Sequence, residues 1–338
     1  MSASSPWPDH DTLMSAIALA NRAPSVHNTQ PWRWLVGTRS LHLMADRTRW
    51  LPATDPHGRD LVMSCGAALH HLRVALAARG WSTVDLSVDA EGDDHLAALG
   101  LRPCPPEGAE LAAAIPLRRT DRRRYSARPV PDRAVAELAR AAARLGVAAI
   151  PLVGEEERLE VAVSLLAGAA RQRVDPRVRR ELVHWTGRTH GLPEGVPAAN
   201  SPSGAVRHGG LPMRYFPRGV LTEPPGGPVG PDVGLLLVLA TAGDTRAAWL
   251  RAGEAASAVL LAATTLGMAT CVLSQNVEVD GVRARLRDRL LAGRGEPQLV
   301  IRVGYAPESA GPLPATARRP VGEVCHRLPG TGSRPRRA

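Results

Sequence analysis

Two stretches of the chain share a spaced pattern, and this repeat restricts the fold more than any other feature of the sequence. The two gapless patterns are Gly66-x-Ala68-x6-Ala75-x4-Gly80-x2-Thr83-x2-Leu86 and Gly253-x-Ala255-x6-Ala262-x4-Gly267-x2-Thr270-x2-Leu273. Each predicts a long helix, rich in Ala, Leu and Val, that ends at a glycine and leads into a strand. A second, shorter similarity follows, in which Leu99-Gly100-x2-Pro103 resembles Val303-Gly304-x2-Pro307. The shared order predicts an internal duplication.

The length of 338 residues exceeds what one hydrophobic core usually organises, which agrees with two repeats. We expect the first repeat in residues 1–115 and the second in residues 116–338. Three prolines between residues 103 and 106 mark the junction, and an acidic, alanine-rich helix follows up to Ile115. The helix of the first pattern is expected over Gly66–Arg79, central and buried.

Helical spacing near the N-terminus predicts a helix over Asp9–Arg22, and strands are predicted at Trp32–Val36 and Ser40–Met44. A late strand is predicted from Gln298 to Val303. Residues 191–231 are dense in Gly and Pro without a sustained period, and such a run is either a mobile lid or a disordered excursion. It holds the only Phe of the chain, Phe216, so a lid that packs on something is expected. Residues 329–338 are basic and rich in Gly and Pro, which predicts a disordered tail.

Composition excludes several classes of protein. The net charge is +10, but every basic residue is Arg and aromatic residues make up only 3%, so the stacking platforms of a nucleic-acid binder are missing. The four cysteines, Cys65, Cys104, Cys271 and Cys325, form no CxxC pair, which argues against zinc patterns and a disulfide framework. We therefore expect no nucleic-acid partner, no metal site and a cytoplasmic location. No apolar run is long enough to predict a membrane span.

A proline-bracketed loop, Pro24-Ser25-Val26-His27-Asn28-Thr29-Gln30-Pro31-Trp32, precedes the first strand. The two prolines stiffen the loop, and Ser25, Asn28 and Gln30 are left to display hydrogen-bonding groups. This chemistry suits a flat ring with polar edges. Taken alone, however, the residues favour a plain, well-capped connecting loop.

Arginines are concentrated in the segment Arg118-Arg119-Thr120-Asp121-Arg122-Arg123-Arg124. Guanidinium groups pair bidentately with phosphate oxygens, and a Thr hydroxyl can add a donor. A second pair, Arg318-Arg319, is a candidate for the same phosphate. The alternative for the first segment is a solvated basic turn, and the alternative for the Arg318-Arg319 pair is a C-terminal surface turn.

The segment that follows the second repeated helix turns polar at Ser274 and Gln275, where a ligand edge or a plain loop would fit. The chain has no Gly-x-Ser-x-Gly, no phosphate-binding P-loop and no Gly-x-Gly-x-x-Gly after a strand, so hydrolase, NTPase and Rossmann interpretations lose their usual support.

Taken together, these motifs resemble the nitroreductase-like FMN-binding flavoproteins, specifically Acg-type actinobacterial members in which two nitroreductase units are fused. The resemblance covers nearly the full length. It implies an α+β fold, an α/β sandwich duplicated in one chain, with mixed sheets flanked by helices and the long helices at a pseudo-dimer interface. It also implies FMN-binding roles for Pro24, Ser25, His27, Asn28 and Gln30 at the ring, for Arg118, Arg119, Thr120, Arg122, Arg318 and Arg319 at the phosphate, and for Leu273, Ser274 and Gln275 near flavin N5.

The resemblance further implies one FMN per chain, because only one complete site can be assembled. Residues 1–10 contain no Arg, and the counterpart of the ring loop in the second repeat reads Leu145-Gly146-Val147-Ala148-Ala149-Ile150. The chain itself would replace the usual dimer, as a monomeric pseudo-dimer or a weak homodimer.

The expected activity is NAD(P)H-dependent, ping-pong reduction of a small-molecule nitro or quinone acceptor, with the flavin carrying the chemistry and no catalytic side chain. The alternative is a catalytically silent protein that stores FMN under a closed lid.

Overall fold

The computed structural model describes residues 6–88, 94–224 and 232–329. Within these ranges the α-helices are α1 (His10–Ala20), α2 (Arg59–Ala77), α3 (Ala109–Ala114), α4 (Asp132–Ala143), α5 (Glu155–Val174), α6 (Pro176–Trp185), α7 (Arg246–Thr265), α8 (Asp280–Leu290) and α9 (Val321–Val324). Short 3-10 helices cover Val26–Asn28, Arg47–Arg49 and Ala198–Asn200. No helix in the described part of the chain is both long enough and apolar enough to cross a bilayer.

The strands are β1 (Trp32–Val36), β2 (Leu41–Ala45), β3 (Trp81–Val88), β4 (His95–Pro103), β5 (Ala148–Leu152), β6 (Thr186–Arg188), β7 (Val196–Pro197), β8 (Arg207–His208), β9 (Leu211–Pro212), β10 (Leu235–Thr241), β11 (Ala269–Leu273), β12 (Glu296–Gly304) and β13 (Cys325–Arg327). They form a sheet of order β13-β1-β2-β4-β3, a second of order β11-β12-β10-β5, and the pairs β6-β7 and β8-β9. The first large sheet is mixed, since β13 runs parallel to β1 while β1 and β2 are antiparallel. The fold is therefore α+β, as expected.

The first sheet takes its edge strand β13 from the far end of the chain. Trp34 faces Cys325, and Val36 faces Arg327. The division at residue 115 stays a prediction, and β13 crosses it, because the last strand of the second repeat completes the sheet of the first.

The N-terminal elements follow from local chemistry. The carboxylate of Asp9 accepts a hydrogen bond from the backbone N–H of Thr12 at 2.7 Å and begins α1, whose apolar face is buried through Leu13 and Ile17. The strand Trp32–Val36 has the predicted bounds, and β2 begins one residue later than predicted. The late strand is longer than the prediction.

The two long helices α2 and α7 pack against each other at the centre, buried over most of their surfaces. A Cβ at Gly66 would lie 2.1 Å from the carbonyl oxygen of Leu250, and one at Gly253 would lie 2.0 Å from that of Met63. Both glycines are thus required where the helix backbones meet.

The predicted start of α2 at Gly66 is wrong, because the helix begins at Arg59. Arg59 and Asp60 have ionisable side chains yet are buried, and a polar pattern does not reveal burial that tertiary partners supply. The carboxylate of Asp55 accepts from the backbone N–H of Leu61 at 2.9 Å in the first turn.

The second repeat contains the corresponding unit of helix, strand and paired strand. α2 leads into β3, which pairs antiparallel with β4, and α7 leads into β11, which pairs antiparallel with β12. In the second unit α8 is inserted between the two strands. This correspondence supports the duplication, which stays an inference.

The Gly/Pro-rich insertion has more structure than its sequence predicts. Its described part includes β7, the 3-10 helix Ala198–Asn200 and the ribbon β8-β9. Residues 225–231 of the predicted lid, and residues 330–338 of the predicted disordered tail, lie outside the described ranges.

Candidate functional site

The loop between α1 and β1 has a strained backbone. His27, Asn28 and Gln30 all adopt the left-handed conformation, with φ of 49°, 55° and 52°. Residues with a side chain rarely take this conformation, and such strain is concentrated at binding and catalytic sites. The hydroxyl of Ser25 accepts from the backbone N–H of Gln30 at 3.0 Å and closes the loop. A plain connection would not require this geometry.

Two adjoining cavities begin at this loop. The larger, of about 970 Å³, is mostly apolar, and we call it the apolar cavity. The smaller, of about 640 Å³, we call the basic cavity. Both are lined by Pro24, Ser25, His27, Thr120 and Arg122. The shared lining makes one elongated site with an apolar end and a cationic end.

The two central helices line part of the apolar cavity with small and apolar residues. Met63 and Ala67 come from α2, and Gly253, Ala256 and Leu260 come from α7. The close helix crossing that needs Gly66 and Gly253 thus also shapes the cavity wall. Asp60 and Ser64 of α2 line the same cavity, and the apolar part of the wall offers a planar ring area to pack against.

Guanidinium groups converge on the basic cavity, whose lining includes Arg22, Arg118, Arg119, Arg122 and Arg318. No Asp or Glu is among the residues that line it in the described structure. The Nε atoms of Arg22, Arg118 and Arg318 are buried, and none has a hydrogen-bond partner in the described ranges.

The crowding of these positive charges lowers the pKa values of two of the arginines. Burial, together with neighbouring guanidiniums, lowers the pKa of Arg118 to about 10 and that of Arg318 to about 9. Buried like charges without a counterion are costly, and an anion with several oxygens would offset that cost. The cavity is therefore able to accommodate a multiply charged anion.

The arginine segment is held in place by strand β11. Thr120 forms a parallel β-bridge with Thr270 in this strand, and the backbone N–H of Asp121 donates to the carbonyl of Thr270 at 2.8 Å. The Asp121 carboxylate binds Arg123, so that guanidinium is neutralised and is not among the residues lining the basic cavity. The predicted cluster is therefore divided, with Arg118, Arg119, Thr120 and Arg122 in the site.

The C-terminal pair Arg318-Arg319 is also divided. Arg318 donates to the carbonyls of Arg22 and Ala23 at 3.2 and 3.1 Å and lines the basic cavity. The Arg319 side chain instead lies near Glu323 and Asp46, and Arg319 does not line either of the two cavities as described. The structure does not bring Arg319 to the phosphate end.

Gln30 is likewise outside both described cavities. Its Nε2 donates to the carbonyl of Pro193 at 2.7 Å, and its Oε1 accepts from the backbone N–H of Arg319 at 2.9 Å. Gln30 therefore connects its own loop to the insertion at Pro193 and to the C-terminal segment at Arg319. Asn28 lines the basic cavity, where its Nδ2 donates to Gly195 at 3.0 Å while its buried Oδ1 has no partner among the described residues.

The insertion covers the apolar cavity. Pro212, Met213, Arg214 and Phe216 line it, and Phe216 is buried. The guanidinium of Arg122 lies 4.9 Å from the centroid of the Phe216 ring, and the His27 ring meets the same phenyl edge-on at 6.2 Å. Arg214 forms an ion pair with the buried Glu278. The insertion thus has the geometry of a lid.

The segment after β11 lines the apolar cavity through Leu273, Ser274 and Gln275, as the sequence suggested. The Ser274 hydroxyl accepts from Arg214 at 3.4 Å, and Gln275 Nε2 donates to Gln172 at 3.0 Å. Lid and loop are therefore connected directly.

His27 is neutral in this environment. Burial, and secondarily the positive charge of Arg214, lower the pKa of His27 to about 3. The imidazole borders both cavities and can offer a ligand one donor and one acceptor.

Several residues of the site were not found from sequence, among them Arg22, Asn200 and Asp60. Arg22 lies two residues after the end of α1, and its adjacency to the Pro24 loop was the only signal. Asn200 lines the basic cavity from the lid, and Asp60 lines the apolar cavity from the first turn of α2. A helical aspartate carries no local sign that it is buried.

Comparisons with known proteins relate this chain to one family. A sequence model described as the nitroreductase family matches residues 115–305. The Mycobacterium tuberculosis protein named "Putative NAD(P)H nitroreductase Rv3131" is 43% identical over 322 residues, 94% of this chain and 92% of that protein. "Putative NAD(P)H nitroreductase acg" from the same organism is 38% identical, covering 94% of this chain and 96% of that protein. A nitroreductase structure with bound FMN from Bacteroides fragilis is 17% identical with a TM-score of 0.38, covering 60% of this chain and 91% of that one.

Proposed function

This chain belongs to the nitroreductase family, and on that premise we propose that it binds one FMN and reduces small-molecule nitro or quinone acceptors with NAD(P)H. The naming of two relatives as NAD(P)H nitroreductases supports the electron donor. The acceptor class and a ping-pong order are part of the proposal.

One observation carries the proposal, namely the unneutralised cluster of guanidiniums in a cavity that continues into an apolar one. Arg22, Arg118, Arg119, Arg122 and Arg318 would hold the FMN phosphate. The unpartnered Nε atoms of Arg22, Arg118 and Arg318 are donors of the kind that phosphate oxygens accept.

The ring of FMN would lie in the apolar cavity, between the Pro24–His27 loop and Leu273–Gln275. The helical wall and the lid residue Phe216 would exclude water from it. When bound there, FMN supplies two-electron chemistry by exchanging hydride with nicotinamide. Gln30 and Arg319 would not contact FMN and would instead fix the Pro24–Trp32 loop against the C-terminal segment.

A single FMN per chain is proposed because the second repeat has no counterpart of the ring loop. Residues 148–152 there form β5, which pairs with β10 through Ile150 and Val238. We further propose a pseudo-dimer that works as one chain, and a cytoplasmic location, where its four free cysteines would stay reduced.

The second candidate function is FMN storage without turnover. It is favoured by the contacts that close the lid, where Glu194 pairs with Arg49, Gln30 holds Pro193, and Arg214 pairs with Glu278. A lid held in this way would oppose entry of a nicotinamide.

The test compares FMN with riboflavin, which has the same ring and no phosphate. We expect the protein to bind FMN more tightly than riboflavin, and this difference to shrink as salt is raised. Equal affinity for both would contradict the phosphate site. Anaerobic NADPH or NADH should then bleach the bound flavin, whereas a persistent yellow colour would support storage.

A further inference from the structure

A carboxyl group with an unsatisfied oxygen lies in the wall of the apolar cavity. Asp60, in the first turn of α2, is 2% exposed and borders the cavity together with Met63 and Ser64. Its Oδ1 lies 3.4 Å from Nη2 of Arg59. Its Oδ2 is buried and has no hydrogen-bond partner within the described ranges.

Arg59 compensates Asp60 only weakly, because its guanidinium is engaged elsewhere. Nη2 donates to the carbonyl of Val277 at 2.8 Å, and Nη1 donates to the Gln298 side chain at 3.0 Å. A buried carboxylate with one long contact and one bare oxygen is expensive, and protonation removes that cost. The bare oxygen needs a partner that the described chain does not provide, and the contents of the cavity can provide one.

The charges around Asp60 also favour its protonated form. Asp55 lies at the same helix start, Glu278 and Arg214 face it from the α8 side and the lid, and Arg59 flanks it in α2. Burial, followed by the negative charge of Asp55, raises the pKa of Asp60 to about 8. The group is therefore mostly protonated at neutral pH.

Neighbouring polar groups are less suited to hold a transferable proton. Burial opposes ionisation of Glu278, but the Arg214 guanidinium outweighs it, and the pKa of Glu278 falls to about 2. His27 is neutral, as described above, and Ser64 and Ser274 carry hydroxyls that are not acidic at neutral pH. Asp60 stands apart in combining burial, a cavity position and a free oxygen.

We propose that Asp60 is the proton donor for the electron acceptor reduced in the apolar cavity, an inference that rests on the proposed function. In reduction of a quinone, a hydride donated by the reduced cofactor would supply both electrons and one proton. The second proton moves from the carboxyl of Asp60 to a quinone oxygen, which completes the hydroquinone. The Asp60 carboxylate then regains a proton from water, so atoms and charge balance.

Two separate measurements test the role of Asp60, and the first of them needs no turnover. The infrared spectrum of the wild-type protein minus that of Asp60→Asn, at neutral pH, should contain the carbonyl band of a protonated, buried carboxylic acid. The subtraction removes bands from Asp55 and Glu254, whose pKa values burial also raises. The difference band should disappear as pH is raised above about 8, where Asp60 ionises. Absence of this band from the difference spectrum would overturn the proposal.

The second observation separates the two half-reactions. Asp60→Asn should slow reoxidation of the bound flavin by a quinone far more than it slows bleaching by NAD(P)H, because only reoxidation takes a proton from Asp60. Reoxidation by a quinone should slow by about 100-fold or more, which is the usual contribution of a general acid. The wild-type reoxidation rate should fall as pH passes about 8, and the variant should lose that dependence.

Asp55→Asn provides a matched control at the neighbouring carboxyl. It removes the charge that helps to raise the pKa of Asp60, so the fall in the reoxidation rate should move to lower pH. Wild-type reoxidation rates in Asp60→Asn would refute the proton-donor role while leaving the proposed function intact. Failure of the wild-type flavin to bleach would instead refute the proposed enzymatic function.

Discussion

Gly66 and Gly253 occupy reciprocal positions at the crossing of the two central helices. A Cβ at Gly66 would lie 2.1 Å from the carbonyl of Leu250, one turn before Gly253, and a Cβ at Gly253 would lie 2.0 Å from that of Met63, just before Gly66. The same two glycines begin the repeated pattern in the sequence. The repeated sequence pattern thus corresponds to a close, reciprocal contact between α2 and α7 in the structure.

Gly66→Ala and Gly253→Ala should each destabilise the protein, because a methyl group at either position forces the helix backbones apart. The expected loss is at least about 1–3 kcal/mol, the usual cost of overpacking. Urea unfolding would measure it. Gly281→Ala in α8 is the control, since nothing lies within 4 Å of the added methyl, and its stability should equal or exceed that of the wild type. Equal stability for all three variants would contradict the close crossing.

The parts of the fold that were predicted from sequence are those bounded by local chemistry. The strand Trp32–Val36 lies between Pro31 and Gly37, and the N-cap of α1 is an aspartate. The start of α2 could not be predicted in this way. Its first turn contains the buried Arg59, whose guanidinium donates to Gln298 and Val277, more than 200 residues away, and spacing carries no information about such partners.

The candidate site was predictable where a motif is contiguous. Ser25 and Thr120 came from two separate motifs, and the structure places both beside the same two cavities. Arg22 was missed because an arginine at a helix end is usually solvated, and only the tertiary fold brings it beside Arg118. The choice between Arg318 and Arg319 could not be made from sequence, because it depends on which side chain faces Glu323 and Asp46.

Arg318 and Arg319 provide a matched pair for testing the phosphate end. Arg318→Ala should weaken FMN binding by about 10- to 150-fold, which corresponds to losing a charge-assisted hydrogen bond of about 1.5–3 kcal/mol. Riboflavin affinity should change little, since riboflavin has no phosphate. Arg319→Ala should leave the ratio of FMN to riboflavin affinity near that of the wild type. Flavin fluorescence titrations measure all four affinities, and a larger loss of this ratio in Arg319→Ala would reverse the assignment.

The lid should control how fast FMN leaves. Phe216→Ala removes the ring that covers Arg122 and His27, so FMN dissociation should accelerate by about 2- to 30-fold, in line with a cation–π contact of about 0.5–2 kcal/mol. Tyr215→Ala is the control because Tyr215 is 55% exposed beside it. Stopped-flow transfer of FMN to an excess of an apoflavodoxin-type acceptor gives the rate. Identical rates for the two variants would mean that Phe216 does not retain the cofactor.

His27 should make the protein sensitive to acid. Its pKa in the folded state is about 3, lowered first by burial and then by Arg214, whereas an unfolded histidine titrates near about 6.5. Between these values the unfolded chain binds a proton that the folded chain does not, so stability is highest above about 6.5 and falls as pH decreases. The slope from one such group is about 1.4 kcal/mol per pH unit.

His27→Gln should therefore lose less stability than the wild type between pH values of about 7.5 and 5.5 in urea unfolding. The buried His70 and His71 titrate in both proteins and cancel in the comparison. An exposed control, His190→Gln, should keep the wild-type slope, and an unchanged slope in His27→Gln would show that the imidazole at the junction of the two cavities is not held neutral.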